Sequence, residues 1–293
     1  MVTLFGSLEK RLDRFLQKNK NLFNYQPLPN KLVKIQTSLD GVLELYKNGF
    51  DNLQVLKNNE FFPLKGYLQK EVTLKALQEG VTSLRFQHIV NLETLEPIGS
   101  EFFCGFAFHP FLLMELLSPL DLTLLDIECV RKILKETKNY RKTKLVFINT
   151  FTTSWNFGIF KGSIVEMIER ENPDLRKNIV LEVVETGSID LKVFECLKQK
   201  YSIKVAIDDF GSERASIERL SSDKVDFVKI DKKLLWDDKL FNFLSSLSKE
   251  LTKHFKVIAE GVETDEHLAK IKALGIHYGQ GFYFHKPQLW EGS

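Results

Sequence analysis

From about residue 67 onward, short apolar runs alternate with helical patterns, and this alternation limits the fold more than any other feature of the chain. The runs are SLRFQHIV (83–90), EPIGSEFFC (96–104), KLVFIN (144–149), NIVLEVVE (178–185), IKVAIDD (203–209), VDFVKID (225–231), FKVIAEGVE (255–263) and IHYGQGFYF (276–284). Their β-branched and aromatic content predicts strands. A helical pattern separates most neighbours, which predicts parallel pairing through strand–helix–strand units. Eight strands of this kind fit a closed (β/α)8 barrel better than an open sheet. The first connection differs. NLETLE (91–96) has room only for a turn, so the first two strands are predicted to form a hairpin, with strand one antiparallel to the rest.

The first 66 residues follow another pattern. Leu4, Leu8, Leu12, Phe15 and Leu16 recur at spacings of three and four, predicting a helix over 4–25 that Pro27 and Pro29 end. Leu32, Ile35, Leu39, Leu43 and Leu45 predict further helix over 30–60. The chain therefore divides into a helical extension over 1–66, without a chemical motif, and a barrel domain over 67–293. A regulatory segment that meets a protein partner and a dimerisation arm are both open readings of the extension.

Lys and Arg total 41 against 39 Asp and Glu, and a formal charge of +2 provides no field to attract duplex nucleic acid. Cys104, Cys129 and Cys196 lie far apart with no C-x-x-C, which argues against a disulfide framework and a cysteine zinc site and fits a reducing compartment. The greasiest run, 102–114, contains His109 and Pro110 and is far shorter than the roughly 20 residues that span a bilayer. The N-terminal MVTLFGSLEKRLDR has no apolar secretory core. A soluble, cytoplasmic protein without a membrane segment is expected.

Polar groups recur inside or just after the apolar runs: Glu101, Asn149, Glu182, Asp208 with Asp209, Lys229, Glu260 and Gln280. In a barrel the C-terminal strand ends meet at one mouth. Five carboxylates would share that volume and repel one another strongly unless a cation neutralises them. Oxygen donors without His or Cys select a hard cation, Mg²⁺ or Mn²⁺ ahead of Ca²⁺. Five acids exceed the needs of one ion, so two ions are expected, one acid able to bridge them. That arrangement suits in-line attack of an activated water on a phosphodiester. Lys229 would orient the water or stabilise the developing charge. Singly, an acid at a strand end is more often a helix cap or a solvated loop residue; the joint pattern carries the metal–phosphoryl reading. The D-F-G at 209–211 lacks the other protein-kinase motifs.

At these residues the chain resembles the EAL family of cyclic di-GMP phosphodiesterases. The resemblance covers about residues 67–290 and rests on KVAIDDFGSERASIERL (204–220), VDFVKID (225–231), VIAEGVET (257–264) and GQGFYFHKP (279–287), with LVFINTF (145–151) and IVLEVVET (179–186). It implies a modified TIM barrel with an antiparallel first strand. It implies hydrolysis of cyclic di-GMP to linear pGpG with two Mg²⁺ or Mn²⁺ ions. Glu101, Asn149, Glu182, Asp208 and Asp209 would be metal ligands, with Asp208 bridging. Lys229 would contact the attacking water, and Glu260 and Gln280 would ligate or orient through water. Glu185 would hold the loop after Asp209, Glu263 would support the site from behind, and Gln87 would contact guanine. A homodimer formed near the Asp208 loop is also implied.

The chain departs from the family pattern beside Glu101. Phe102 and Phe103 replace small and medium side chains, which predicts two bulky rings next to the metal. Gly105 stands where the family has a phosphate-gripping arginine, a loss on the order of 1.5–3 kcal/mol for a charge-assisted hydrogen bond. Glu213 and Arg214 replace a glycine and an aromatic residue in the following loop. An active phosphodiesterase is the first reading. A weak or inactive cyclic di-GMP receptor or protein scaffold is the alternative, and hydrolysis of another phosphodiester is a third.

Overall fold

Each of the eight apolar runs of the barrel region forms a strand in the computed structural model, which describes residues 1–184, 192–211, 225–237 and 240–292. Two compact units are present: Met1–Gln78 with Phe108–Ser118, and Glu79–Ala107 with Pro119–Ser293.

The first unit corrects the expected helical extension. It contains β1 (Val2–Ser7), α1 (Lys10–Lys18), β2 (Asn24–Leu28), β3 (Leu32–Thr37), α2 (Leu39–Lys47), β4 (Gln54–Lys57), β5 (Glu60–Pro63), most of α3 (Leu64–Glu79) and α4 (Pro110–Leu116). The five strands form an antiparallel sheet in the order β2-β3-β1-β4-β5, with the split βαββαβ connectivity in its first four strands. The misreading has a physical cause. A spacing of four, as in Leu4–Leu8, fits a helix face and a strand face alike. Val33, Ile35 and Thr37 are buried in strict alternation on β3, which is the strand signature. Ser38 caps α2 by accepting from Gly41 N–H at 3.3 Å.

The second unit is the barrel. Its strands are β6 (Ser83–Asn91), β7 (Pro97–Gly105), β8 (Leu145–Thr150), β9 (Ile179–Val184), β10 (Lys204–Phe210), β11 (Phe227–Ile230), β12 (Lys256–Ala259) and β13 (Tyr278–Gly279). They pair in chain order and close through β13–β6. β6 and β7 form the predicted antiparallel hairpin, and β7 through β13 run parallel. A short β14 (Gln288–Leu289) adds to the outer edge of β6. Outside the sheet lie α5 (Pro119–Glu136), α6 (Gly158–Arg170), α7 (Pro173–Arg176), α8 (Lys192–Tyr201), α9 (Lys232–Leu235), α10 (Phe241–His254) and α11 (Asp265–Ala273). Among the described residues, no helix is long and apolar enough to cross a membrane.

Strand parity explains where the site lies. Phe147, Val180, Ala206, Phe227 and Ile258 are fully buried and form one cluster with Ile89 and Tyr278. Two residues further along the chain from Phe147, Val180, Ala206, Phe227, Ile258 and Tyr278 are Asn149, Glu182, Asp208 and Lys229 on their strands and Glu260 and Gln280 just past the ends of β12 and β13. Positions two apart share a face, so an apolar layer fills the barrel and a polar layer sits directly above it.

Candidate functional site

The ammonium of Lys229 is the centre of the polar layer. Its Nζ lies 3.0 Å from oxygens of Glu101, Glu182, Asp208 and Glu260, and its side chain is 1% exposed. Four strands thus converge on one cation. Its charge is held well above the usual lysine range: burial opposes it, and the surrounding carboxylates of Asp208, Glu101, Glu182 and Glu260 outweigh the burial.

Glu101 is the most firmly fixed acid. Its Oε1 accepts from Asn149 Nδ2. Its Oε2 accepts from Lys229 at 3.0 Å and from Gln280 Nε2 at 2.7 Å. Burial alone would raise its carboxyl, but Lys229, Gln280 and Asn149 together hold it below the ordinary range. Gln280 Nε2 also donates to Gln87 Oε1 at 3.2 Å, and Gln87 Nε2 donates to the His285 carbonyl at 2.8 Å. Gln87 is therefore engaged at both ends of its amide and acts as a strut behind Gln280.

The remaining acids are less compensated. Burial, then the Glu101 carboxylate, pushes Glu182 far up. Burial is also the first cause for Glu260, raised to about 8, and for Asp209, raised to about 6 beside Asp208. Consecutive strand residues ordinarily face opposite sides, yet oxygens of Asp208, Asp209 and Glu260 all lie within 4.8 Å of one another. The pairing of β10 with β11 shifts register between Ile207 and Phe210, and Asp209 takes φ +55°. Aspartate tolerates that left-handed conformation better than most residues, and the bulge redirects its side chain.

These residues fit a divalent cation. Five carboxylates face one ammonium, and Glu182 Oε1 and Gln280 Oε1 are buried without a hydrogen-bond partner. Every donor is oxygen, the set a hard cation prefers.

One other sequence-predicted residue falls elsewhere. The Glu263 side chain is exposed, and the contact at this residue is its backbone N–H donating to His267 Nδ1 at 3.2 Å. Glu185, Glu213, Arg214 and the segment expected to form the dimer contact lie outside the described residues.

Parity also corrects the expectation of two rings beside the metal. Phe102 faces away from the barrel interior and is 1% exposed. It packs against Trp290 at 5.0 Å, Tyr140 at 5.9 Å and Phe86 at 6.0 Å between ring centroids. Phe103 and Gly105 share the face of Glu101.

Sequence reasoning missed Asp126. It is buried on α5, and its Oδ2 accepts from Phe151 N–H at 2.9 Å, fixing the chain two residues beyond Asn149. An acid on the otherwise apolar stripe Leu122, Leu125, Cys129, Ile133 was the available signal. Burial raises its carboxyl from 3.8 to about 7. The folded state therefore holds the proton more tightly than the unfolded chain. The stability from this group is complete below its unfolded value of 3.8 and is lost as pH rises through about 7. Asp126→Asn keeps the acceptor and removes the charge. Thermal denaturation across this range is expected to show the variant gaining on the parent as pH rises, by on the order of a few kcal/mol at the alkaline end. A pH-independent difference between the two would rule this account out.

The family described as EAL domain matches residues 71–287. The cyclic di-GMP phosphodiesterase PdeA of Borreliella burgdorferi is 31% identical over 268 residues, covering 83% of this chain. The cyclic di-GMP phosphodiesterase PdeL of Escherichia coli is 30% identical over 138 residues, covering 44%. The chain's matched part spans 38% of the length of each of these curated relatives. Among solved structures, the Bacillus subtilis YkuI protein, with an EAL domain and in complex with cyclic di-GMP and calcium, superposes with a TM-score of 0.62. It is 21% identical, with 74% of this chain and 58% of that one covered.

Proposed function

Since this chain belongs to the EAL domain family, we propose that it hydrolyses cyclic di-GMP to linear pGpG, using two Mg²⁺ or Mn²⁺ ions. The observation that carries this reading is the convergence of Glu101, Glu182, Asp208 and Glu260 on one buried lysine at 3.0 Å, with Asp209 beside them. Glu101, Asn149, Glu182, Asp208, Asp209 and Glu260 would hold the ions. Bound there, the ions would supply Lewis-acid stabilisation of the phosphoryl oxygens and lower the pKa of the attacking water. Lys229 would orient that water through an N–H donor that the surrounding carboxylates release to the ions. Gln280 holds Glu101 in place, and its side-chain carbonyl oxygen is buried without a hydrogen-bond partner. The apolar layer below excludes bulk water, which strengthens each of these interactions.

The test is turnover of cyclic di-GMP by purified protein with Mg²⁺ or Mn²⁺, resolved chromatographically, with Glu101→Ala as control. Metal-dependent pGpG that the control lacks supports the reading. Binding without turnover would favour the alternative, a receptor or scaffold, for which Gly105 is the specific observation.

Gly105 also yields a quantitative expectation. A Cβ at this position would collide with Ser83 Oγ, so an arginine there requires the serine to give way. Gly105→Arg combined with Ser83→Ala is expected to lower KM for cyclic di-GMP by about tenfold, the value of one charge-assisted phosphate contact. An unchanged KM would mean that grip is supplied elsewhere.

The N-terminal unit is read as a regulatory module. Its support is connectivity: α4 belongs to that unit and begins five residues after Gly105, so β7 leads directly into it. Tyr46 on α2 donates to Glu115 Oε1 on α4 at 2.6 Å. Tyr46→Phe is expected to change kcat by about two- to fivefold while leaving metal affinity unaltered, the size of one exposed charge-assisted hydrogen bond. Identical kinetics would remove this link from the account.

A further inference from the structure

A second concentration of charge lies in the N-terminal unit. Lys10, Arg11, Arg14, Phe15, Asn48 and Phe50 line a cavity of about 440 Å³. Lys10, Arg11 and Arg14 are exposed on one side of α1, and none forms an ion pair with a described carboxylate. Like charges three and four residues apart destabilise a helix, so this arrangement is unfavourable unless an anion shares it.

Arg11 is held in position. Its Nη2 donates to the Asn48 carbonyl at 2.5 Å, and its guanidinium lies 4.8 Å from the centre of the Phe50 ring. A fixed guanidinium loses little freedom on binding, and its planar face stacks on aromatic rings. The N-cap residue Glu9 offers no side-chain acceptor to the first turn of α1, leaving backbone N–H groups at the positive end of the helix. Phe15 supplies an apolar wall, half-buried and 5.1 Å from Phe50. The volume falls within the ~300–1,000 Å³ of small-molecule sites and exceeds what a lone phosphate fills.

We propose that this cavity binds a nucleotide, with its phosphates on Lys10 and Arg14 and its flat base against Arg11 and Phe15. The site stands independently of the phosphodiesterase reading.

The test is calorimetric titration of the full chain with inorganic phosphate, pyrophosphate, GMP and ATP. EDTA is present throughout, so that the barrel carries no metal. Saturable binding is expected, with ATP tightest and inorganic phosphate weakest. Lys10→Gln and Arg14→Gln are exposed changes that leave the fold intact. Each is expected to weaken ATP binding about fivefold and the pair well over tenfold, while Arg14→Lys retains most of it. Glu101→Gln is expected to leave ATP binding unchanged, which separates this site from the barrel. Three outcomes would overturn the proposal. They are no saturable heat with ATP at millimolar concentration, ATP binding unaffected by the double substitution, and pyrophosphate binding as tightly as ATP. Length-dependent binding of single-stranded RNA far tighter than ATP would also overturn it, in favour of an extended basic surface.

Discussion

Lys229→Met is expected to lower the melting temperature of the metal-free protein by about 10 °C, because breaking a buried ion cluster from one side costs about 3–5 kcal/mol. The reason lies in the four carboxylates at 3.0 Å from its Nζ. Without the ammonium, they face one another with no compensating charge. Their protonated forms are then favoured in the folded state, so the deficit grows as pH rises and shrinks in acid. A divalent cation should restore much of the lost stability, since it returns positive charge to the same oxygens. Hydrolysis should not return with it: the loss of a donor to the attacking water is expected to cost roughly 10²–10³ in kcat. Differential scanning calorimetry in EDTA and in Mn²⁺, followed by turnover, checks both halves. A melting temperature unchanged in EDTA would show that the ammonium does not hold these acids together.

Glu182→Gln should act in the opposite direction on stability and in the same direction on activity. Glu182 is fully buried, one of its oxygens lacks a hydrogen-bond partner, and Glu101 and Asp208 crowd it. Neutralising it relieves repulsion in the metal-free protein, so the variant is expected to melt at or above the parent in EDTA. With metal, the ranking should reverse, because an amide is a poorer ligand for a hard cation. Turnover is expected to fall roughly 10³-fold, as for loss of a group aimed at the transition-state charge. Such a reversal is what a residue kept for function at the expense of stability produces. A variant less stable in EDTA and fully active in Mn²⁺ would assign Glu182 to the core instead.

Much of the barrel was legible because its signals are local. Short apolar runs rich in β-branched residues mark β6 through β13 one strand at a time, and the short connection at 91–96 marks the hairpin. The acids were legible because a charge at the end of an apolar run is anomalous wherever it occurs. The N-terminal sheet was not legible. The spacings of Leu4, Leu8 and Leu12 satisfy both periodicities, and only pairing with β3 and β4 decides in favour of a strand for β1. Strand parity could have placed Phe102 outside the barrel, since it follows Glu101 directly, but not the ring cluster it joins. Trp290 and Tyr140 reach it from distant parts of the chain.

The sequence by itself determined the eight strands, the oxygen-only donor set and the missing arginine at Gly105, since each depends on residue type and short-range spacing. Tertiary structure decided the rest. It brought Gln87 to Gln280 and Lys229 to Glu101 across more than a hundred residues of chain, and it turned Asp209 to the side of Asp208 through a bulge and a positive φ. It also set a cationic cavity into a unit that the sequence had presented as plain helix. The barrel features arise from closure and strand register, and the cavity from the packing of α1 against the end of α2 and the turn after it; both depend on long-range packing and leave no trace in any short window of residues.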